Sequence, residues 1–192
     1  MIFFQEGPGI RNWQYVDDGV NFINIRCITN GSIDTSTANK ISNEEAYGKY
    51  SHFLLKPYDI VMSCSGTLGR YAIVQEENLP LCLNTSVIRF RPLINEFDYS
   101  FVYGYITSPE FLNQQAMMAN GSAQINFGPT HLRKIIIKEP PVEIRYQFNE
   151  LIMPIINKVI CTKTENVRLT ELRDTLLPKL MSGEIDVSNI TI

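Results

Sequence analysis

The chain has 192 residues, with 17 Lys and Arg against 20 Asp and Glu, for a formal net charge of −3. Hydrophobic residues make up 44% and charged residues 19%, which supports a real core and excludes wholesale disorder. The slight acidity argues against a sequence-blind polyanion binder. It leaves room for a DNA reader that gathers its cations on one face or borrows them from a partner.

Residues 1–141 mix short apolar runs with turn residues, and the chain from residue 142 onward reads as helix. The first predicted strand is 20–28, rich in branched and aromatic residues, between Gly19 and the turn pair Asn30-Gly31. A short helix is expected at 43–50. Strands follow at 58–63, after Pro57, and at 71–74, with Gly66 and Gly69 supplying the bends between them. The fourth strand is 86–91, with Ile88 and Phe90 on one face and Arg89 and Arg91 on the other. Phe101, Val102, Tyr105 and Ile106 predict a helix over 98–107. Ser108 then reads as a cap, Pro109 as a first helical residue, and the next helix runs to Ala119 before Asn120-Gly121. A fifth strand is expected at 134–138, closed by Pro140-Pro141. The sum is a mixed α/β (α+β) domain over 1–141.

In 142–192, Phe148, Ile152, Ile155 and Val159 recur at helical spacing. Thr162 and Asn166 continue the seam in polar form. Leu169, Leu172, Leu176 and Leu180 extend it, so the pattern is that of a coiled coil with a polar middle. Pro154 is expected to kink the helix, and Pro178 with Gly183 to end it. The 23 residues between the prolines give about 35 Å of helix. That is more than one small domain needs to cover its sheet, so an exposed stripe that pairs with another helix is preferred to packing on the chain's own domain.

Motifs for catalysis are missing. The sequence has no G-x-S-x-G elbow and no phosphate-binding glycine run ending in lysine. It also lacks the Asn-Pro-Pro-aromatic motif of adenine methyltransferases and the carboxylate-lysine set of the common nuclease core. Glu44-Glu45 and Glu76-Glu77 are adjacent, so their side chains diverge, and Asp17-Asp18 before Gly19 is turn chemistry. Cys27, Cys64, Cys82 and Cys161 show no C-x-x-C spacing, and His52 and His131 stand near none of them in sequence. Free buried thiols in a reducing compartment are expected, and no metal. No apolar run approaches the roughly 18 residues of a membrane span. The start, Met1-Ile2-Phe3-Phe4, has no signal-peptide pattern, so a cytoplasmic protein is expected.

Three stretches are rich in small hydrogen-bonding groups: 63–70, with Ser65, Thr67 and Arg70; 84–86, with Asn84 and Thr85; and 120–129, with Ser122, Gln124 and Asn126. Such groups contact phosphates and base edges. Arg11, Arg133 and Lys134 are candidates for a basic face beside them.

The order of these features resembles the target-recognition domain of type I restriction-modification specificity subunits. The matching pieces are Glu6-Gly7-Pro8-Gly9-Ile10-Arg11, the turn and strand over 15–25, and the stretch 56–70 from Lys56-Pro57-Tyr58-Asp59 to Leu68-Gly69-Arg70. Residues 121–126 and the exit Glu139-Pro140-Pro141 follow. The most specific piece is 169–187, containing Leu172-Arg173-Asp174-Thr175-Leu176-Leu177-Pro178-Lys179-Leu180-Met181-Ser182-Gly183-Glu184-Ile185, which is similar to the end of the helical spacer in many such subunits. Full subunits of that family carry two recognition domains and two spacer helices, whereas this chain has one of each. It also begins almost on the Gly7-Pro8-Gly9 turn, so an N-terminal strand is expected to be short or missing. A natural half-subunit, a partial gene product and an exchangeable cassette all fit.

The resemblance implies a non-catalytic, sequence-specific DNA-binding subunit. It would direct methylation subunits and, where present, restriction subunits to a bipartite double-stranded target marked at adenine. The chain itself needs no cofactor, and S-adenosylmethionine is expected on the methylation subunit. Ile152, Ile155, Val159, Leu169, Leu172 and Leu176 are the residues expected to join it to a second copy or another specificity half. The rival reading is a coiled-coil interaction protein or cassette fragment that no longer reads DNA. A third, an unrecognised nuclease, lacks a carboxylate cluster.

Overall fold

Alternation of apolar residues at period two builds the first part of the chain, and helical spacing builds the rest. The computed structural model describes residues 1–29, 31–119 and 127–185. The strands are β1 (Ile2–Glu6), β2 (Tyr15–Val16), β3 (Val20–Ile23), β4 (Ile28–Thr29), β5 (Ser32–Ile33) and β6 (Asn39–Ile41), followed by α1 (Asn43–Tyr47). Next come β7 (Ile60–Ser63), β8 (Tyr71–Ile73), β9 (Leu81–Leu83) and β10 (Val87–Pro92). Helices α2 (Tyr99–Ile106), α3 (Pro109–Ala119), α4 (Pro129–Leu132) and α5 (Val142–Met181) complete the order. The chain divides into two compact units, Met1–Ile152 and Met153–Ile192.

The first unit holds two four-stranded sheets. One is antiparallel, in the order β1-β10-β7-β8; the other has the order β2-β6-β3-β9, with β3 and β9 parallel. Strands β4 and β5 form a separate hairpin. Register explains the layering. Phe4, Phe90, Ile60 and Ile73 lie side by side across the first sheet, and Gln5, Arg89, Val61 and Ala72 occupy the opposite face. The Phe90 face meets the helices, with Phe90 edge-on to Phe111 at 6.1 Å. On the other face Val61, Ala72 and Val87 share a core with Ile23, Leu81 and Leu83 of the second sheet. Phe22 and Cys82, one residue out of phase, enter a further core with Ala46 and Tyr50 around α1. The layers therefore run α2 and α3, first sheet, second sheet, α1.

Strand β10 is covered on both faces, so Arg89 is buried and Arg91 half-buried. Arg89 donates to the carbonyls of Leu54 (2.8 Å) and His52 (3.0 Å) and to the Gln5 amide oxygen. Arg91 grips Asp59 with two hydrogen bonds of 2.7 and 2.6 Å, and Asp59 lies 3.6 Å from Arg89. At the start of α5, Arg145 pairs with buried Asp98 at 2.5 Å and with Glu139 at 2.9 Å.

The helices expected over 43–50, 98–107 and 109–119 form, and Ser108 Oγ caps the third by accepting from Phe111 N at 3.2 Å. Four expectations are corrected. The strand over 20–28 stops at Ile23, because the Asn24 side chain accepts from Arg26 N at 2.8 Å and caps a turn before β4. The N-terminal strand is present as β1, paired along all five of its residues with β10. No strand forms at 134–138. Arg133, Lys134 and Ile135 donate back to Pro129, His131 and Leu132, the turns of α4 consume these amides, and Ile136 is left 92% exposed. Pro178 does not end α5. Ser182 N still finds the Pro178 carbonyl at 2.9 Å, and the helix stops before Gly183, whose φ of +74° suits glycine. Among the described residues no helix is long and apolar enough to cross a membrane.

Candidate nucleic-acid interface

The loop between β7 and β8 is a self-braced hairpin. Ser63 N donates to the Arg70 carbonyl (2.8 Å), Arg70 N donates to Ser63 Oγ (3.0 Å), and that hydroxyl donates to the Thr67 carbonyl (2.6 Å). Gly66 and Gly69 take φ of +67° and +77°, which side chains resist. Helix α3 backs the loop: buried Gln115 donates to the Ser63 carbonyl at 3.4 Å, and Leu112 lies against Gly69. Ser65 is half-buried, and Thr67 and Arg70 are exposed.

The 84–86 turn between β9 and β10 sits beside it. Cys64 N donates to the Ser86 carbonyl at 2.9 Å, and Ile25 N donates to Ser86 Oγ at 3.2 Å. Three loops are thus tied to one serine. Asn84 spends its side-chain oxygen on the turn, accepting from Ser86 N (3.0 Å) and the Thr85 hydroxyl (3.2 Å). Gly7, just after β1, packs so closely that a side-chain carbon there would meet the Asn84 carbonyl oxygen at 2.5 Å. Gly9 faces the Thr85 methyl, and Arg11 follows, exposed. Phe127 N donates to the Cys64 carbonyl at 2.7 Å, which anchors the exit of the 120–129 stretch on the same cluster. Ser122, Gln124 and Asn126 lie outside the described residues.

The structure therefore gathers Ser65, Thr67, Arg70, Asn84 and Thr85, while Arg11, two residues after Gly9, donates its N–H to Gln14 Oε1 at 2.9 Å. Arg133 and Lys134 are not gathered. They follow α4, and Arg133 lines a separate depression with Met1, Ile2 and Phe4 toward the other end of β1. Two residues of the cluster were not singled out in the sequence. Arg26 is exposed on the turn capped by Asn24, and that asparagine before a cation is its only sequence signal. Glu6 ends β1, with Cys64 Sγ 3.9 Å from its Oε1. Burial raises the Glu6 carboxyl above its ordinary range. Burial, with the Glu6 charge second, pushes the Cys64 thiol up to about 12. Among the described residues no carboxylate pairs with Arg11, Arg26 or Arg70, and no group of three His, Cys, Asp or Glu side chains is set to hold a metal. The arrangement offers hydroxyls, free guanidinium groups and one carboxylate on rigidly held loops.

In the second unit the helical part, residues 153–181, is about 43 Å long. Ile155 is 58% exposed, Leu169 55% and Leu172 53%, with Val159 and Leu176 also open, and Ile152 at the end of the first unit is half-buried.

The family model for the type I restriction modification DNA specificity domain matches residues 11–173. The specificity subunit of the type I restriction enzyme HindI of Haemophilus influenzae is 30% identical over 93% of this chain. The MjaVIII specificity subunit of Methanocaldococcus jannaschii is 22% identical over 99% of it. This chain spans 38% and 45% of those two relatives, less than half of either. Among solved structures, the S subunit of the type I system of M. genitalium is similar in fold, with a TM-score of 0.57 at 18% identity, covering 93% of this chain and 43% of that one. The HsdS subunit of Thermoanaerobacter tengcongensis gives a TM-score of 0.53 at 16% identity, covering 96% and 43%.

Proposed function

We propose that this chain, which belongs to the type I restriction-modification DNA specificity family, is a non-catalytic, sequence-specific DNA-binding subunit that works in the cytoplasm. It reads one half of a bipartite double-stranded target through residues 1–141. It directs methylation subunits, and restriction subunits where present, to that target, with adenine as the methylated base. S-adenosylmethionine belongs to the methylation subunit.

The observation that carries this reading is the convergence of the 64–70, 84–86 and 24–26 loops on Ser86, with exposed Arg26, Arg70 and Thr67 around them. Sites held by rigid elements present hydrogen-bonding groups in fixed positions, which is what base readout requires. Arg11, Ser65, Thr85, Ser122, Gln124 and Asn126 are proposed to share the contact surface. Asn84 supports the turn, and Arg133 and Lys134, away from this cluster, are proposed to contact the DNA backbone.

The exposed stripe of α5 favours pairing. Ile152, Ile155, Val159, Leu169, Leu172 and Leu176 would join two copies, with Asn166 and Thr162 fixing the register at some cost in stability. Two identical readers related by a twofold axis demand an interrupted palindrome. Methylation mapping of DNA treated with this chain and its cognate methylation subunit tests the whole reading. Adenine methylation within an interrupted palindrome is expected. Methylation that is independent of this chain, or of a single contiguous asymmetric sequence, would overturn it.

A further inference from the structure

A carboxylate stands among the loops assigned to DNA, and among the described residues no cation pairs with it. Glu6 closes β1 immediately before Gly7 turns against the backbone of residues 83–84. Its Oε2 lies 3.8 Å from where a side-chain carbon on Gly128 would sit, and its Oε1 faces the Cys64 thiol. Among the described residues no Lys, Arg or His forms an ion pair with it. The thiol is a weak donor and has a second acceptor in reach, the Thr85 carbonyl at 3.3 Å. A partly desolvated carboxylate without a cation costs stability.

The charge repels phosphate, so Glu6 is unsuited to the DNA backbone. It is suited to a base edge that offers a donor. An ionised carboxylate only accepts hydrogen bonds. In the major groove cytosine presents its N4 amino group, whereas adenine sets its N6 donor beside the N7 acceptor, which a second carboxylate oxygen would oppose. We propose that Glu6 is a specificity-determining residue whose carboxylate accepts a hydrogen bond from the amino group of a cytosine in the target. This rests on the DNA-reading function proposed above.

Selection of bound duplexes from a randomised library tests it, using the full chain assembled with its methylation subunit. The wild type prefers cytosine at one position by about tenfold. Glu6→Gln keeps the shape and an acceptor for Cys64, so it folds. It loses the cytosine preference at that position alone and shifts toward adenine, whose N6 and N7 suit an amide. Glu6→Ala loses the preference without a replacement; if it fails to fold, Glu6→Gln decides. A selective wild type with an equally selective Glu6→Gln protein overturns the role of Glu6 and leaves the DNA-reading function standing. Loss of selection at every position in Glu6→Gln overturns it too, because Glu6 would then only position the loops. A wild type with no selectivity removes the function itself, and the role of Glu6 with it.

Discussion

Arg70→Ala asks whether the hairpin between β7 and β8 faces DNA. The backbone of Arg70 closes that hairpin through its two contacts with Ser63, at 2.8 and 3.0 Å, and both survive truncation. The guanidinium is exposed and, among the described residues, pairs with no carboxylate. The substitution therefore removes a charge and leaves the turn, changing stability by no more than about 0.5 kcal/mol. One phosphate contact contributes about 0.9 to the slope of log affinity against log salt. Over a rise from roughly 50 to 200 mM salt, that is about 3.5-fold in affinity. Fluorescence anisotropy with a labelled duplex at a series of salt concentrations reads the slope directly. The variant should bind more weakly at low salt, with a slope shallower by about 0.9, and approach the wild type by about 3.5-fold across that interval. Arg173→Ala, at an exposed pair with Asp174 on α5, should leave the slope unchanged. If Arg70→Ala binds with wild-type affinity and slope, the hairpin is structural and the assignment of this face is wrong.

Gln124→Ala should change the methylated sequence at one position, by about 1–3 kcal/mol of discrimination; the same sequence methylated at the same rate would clear that loop of readout. Asp59→Ala should cost about 3–5 kcal/mol in denaturant unfolding, since it strands the charge of Arg89, whose side chain is 5% exposed. Asp174→Ala should cost less than about 1 kcal/mol, and equal losses for the two would refute the distinction. Buried Cys64 and Cys82, both pushed up to about 12, should resist a thiol reagent at around pH 8, while exposed Cys161 reacts, as peptide mass spectrometry of the labelled native protein would show. Charges at Ile155 and Leu172 should abolish the dimer in sedimentation while the first unit stays folded. A wild type that is monomeric at micromolar concentration and also inside its complex with the methylation subunit would end the pairing model.

Helices α1, α2, α3 and α5 were legible in the sequence because spacing, and caps such as Ser108, repeat the same message, whereas the four-residue α4 was not. Strands β7, β8 and β10 were legible for the same reason on a shorter period. Strands β2, β4, β5, β6 and β9, of two or three residues each, were not, since only pairing with a neighbour makes them strands; three-residue β8 was, because Gly66 and Gly69 mark the turn from β7. The apolar run at 134–138 misled because propensity there is overridden by the turns that continue α4. The hairpin residues of the site were legible through their glycines. Glu6 was not, because a single carboxylate at a strand end carries no local sign of the loops that fold around it. Arg89 and Arg91 alternate with Ile88 and Phe90 as the residues of a half-exposed strand would. Only the second sheet, and Asp59 beside them, reveal that both faces of β10 are covered.

That placement bears on how a chain of net charge −3 would read DNA under the proposed function. Arg89, Arg91 and Arg145 are committed to Asp59, Asp98 and Glu139, so the cations available to DNA are fewer than the composition suggests. Non-specific affinity rises with the number of phosphates neutralised. A face with a handful of free guanidinium groups and one carboxylate gains little from the backbone of a random duplex. Its proposed selectivity would then come from hydrogen bonds to base edges, each of which fails at a wrong base. Tight binding would need further cations, and the methylation subunit is the proposed source. Such a division would keep the proposed reader from settling on random DNA before assembly. On this reasoning the isolated chain should bind its target weakly and with a small salt slope, and the assembled complex tightly and with a large one.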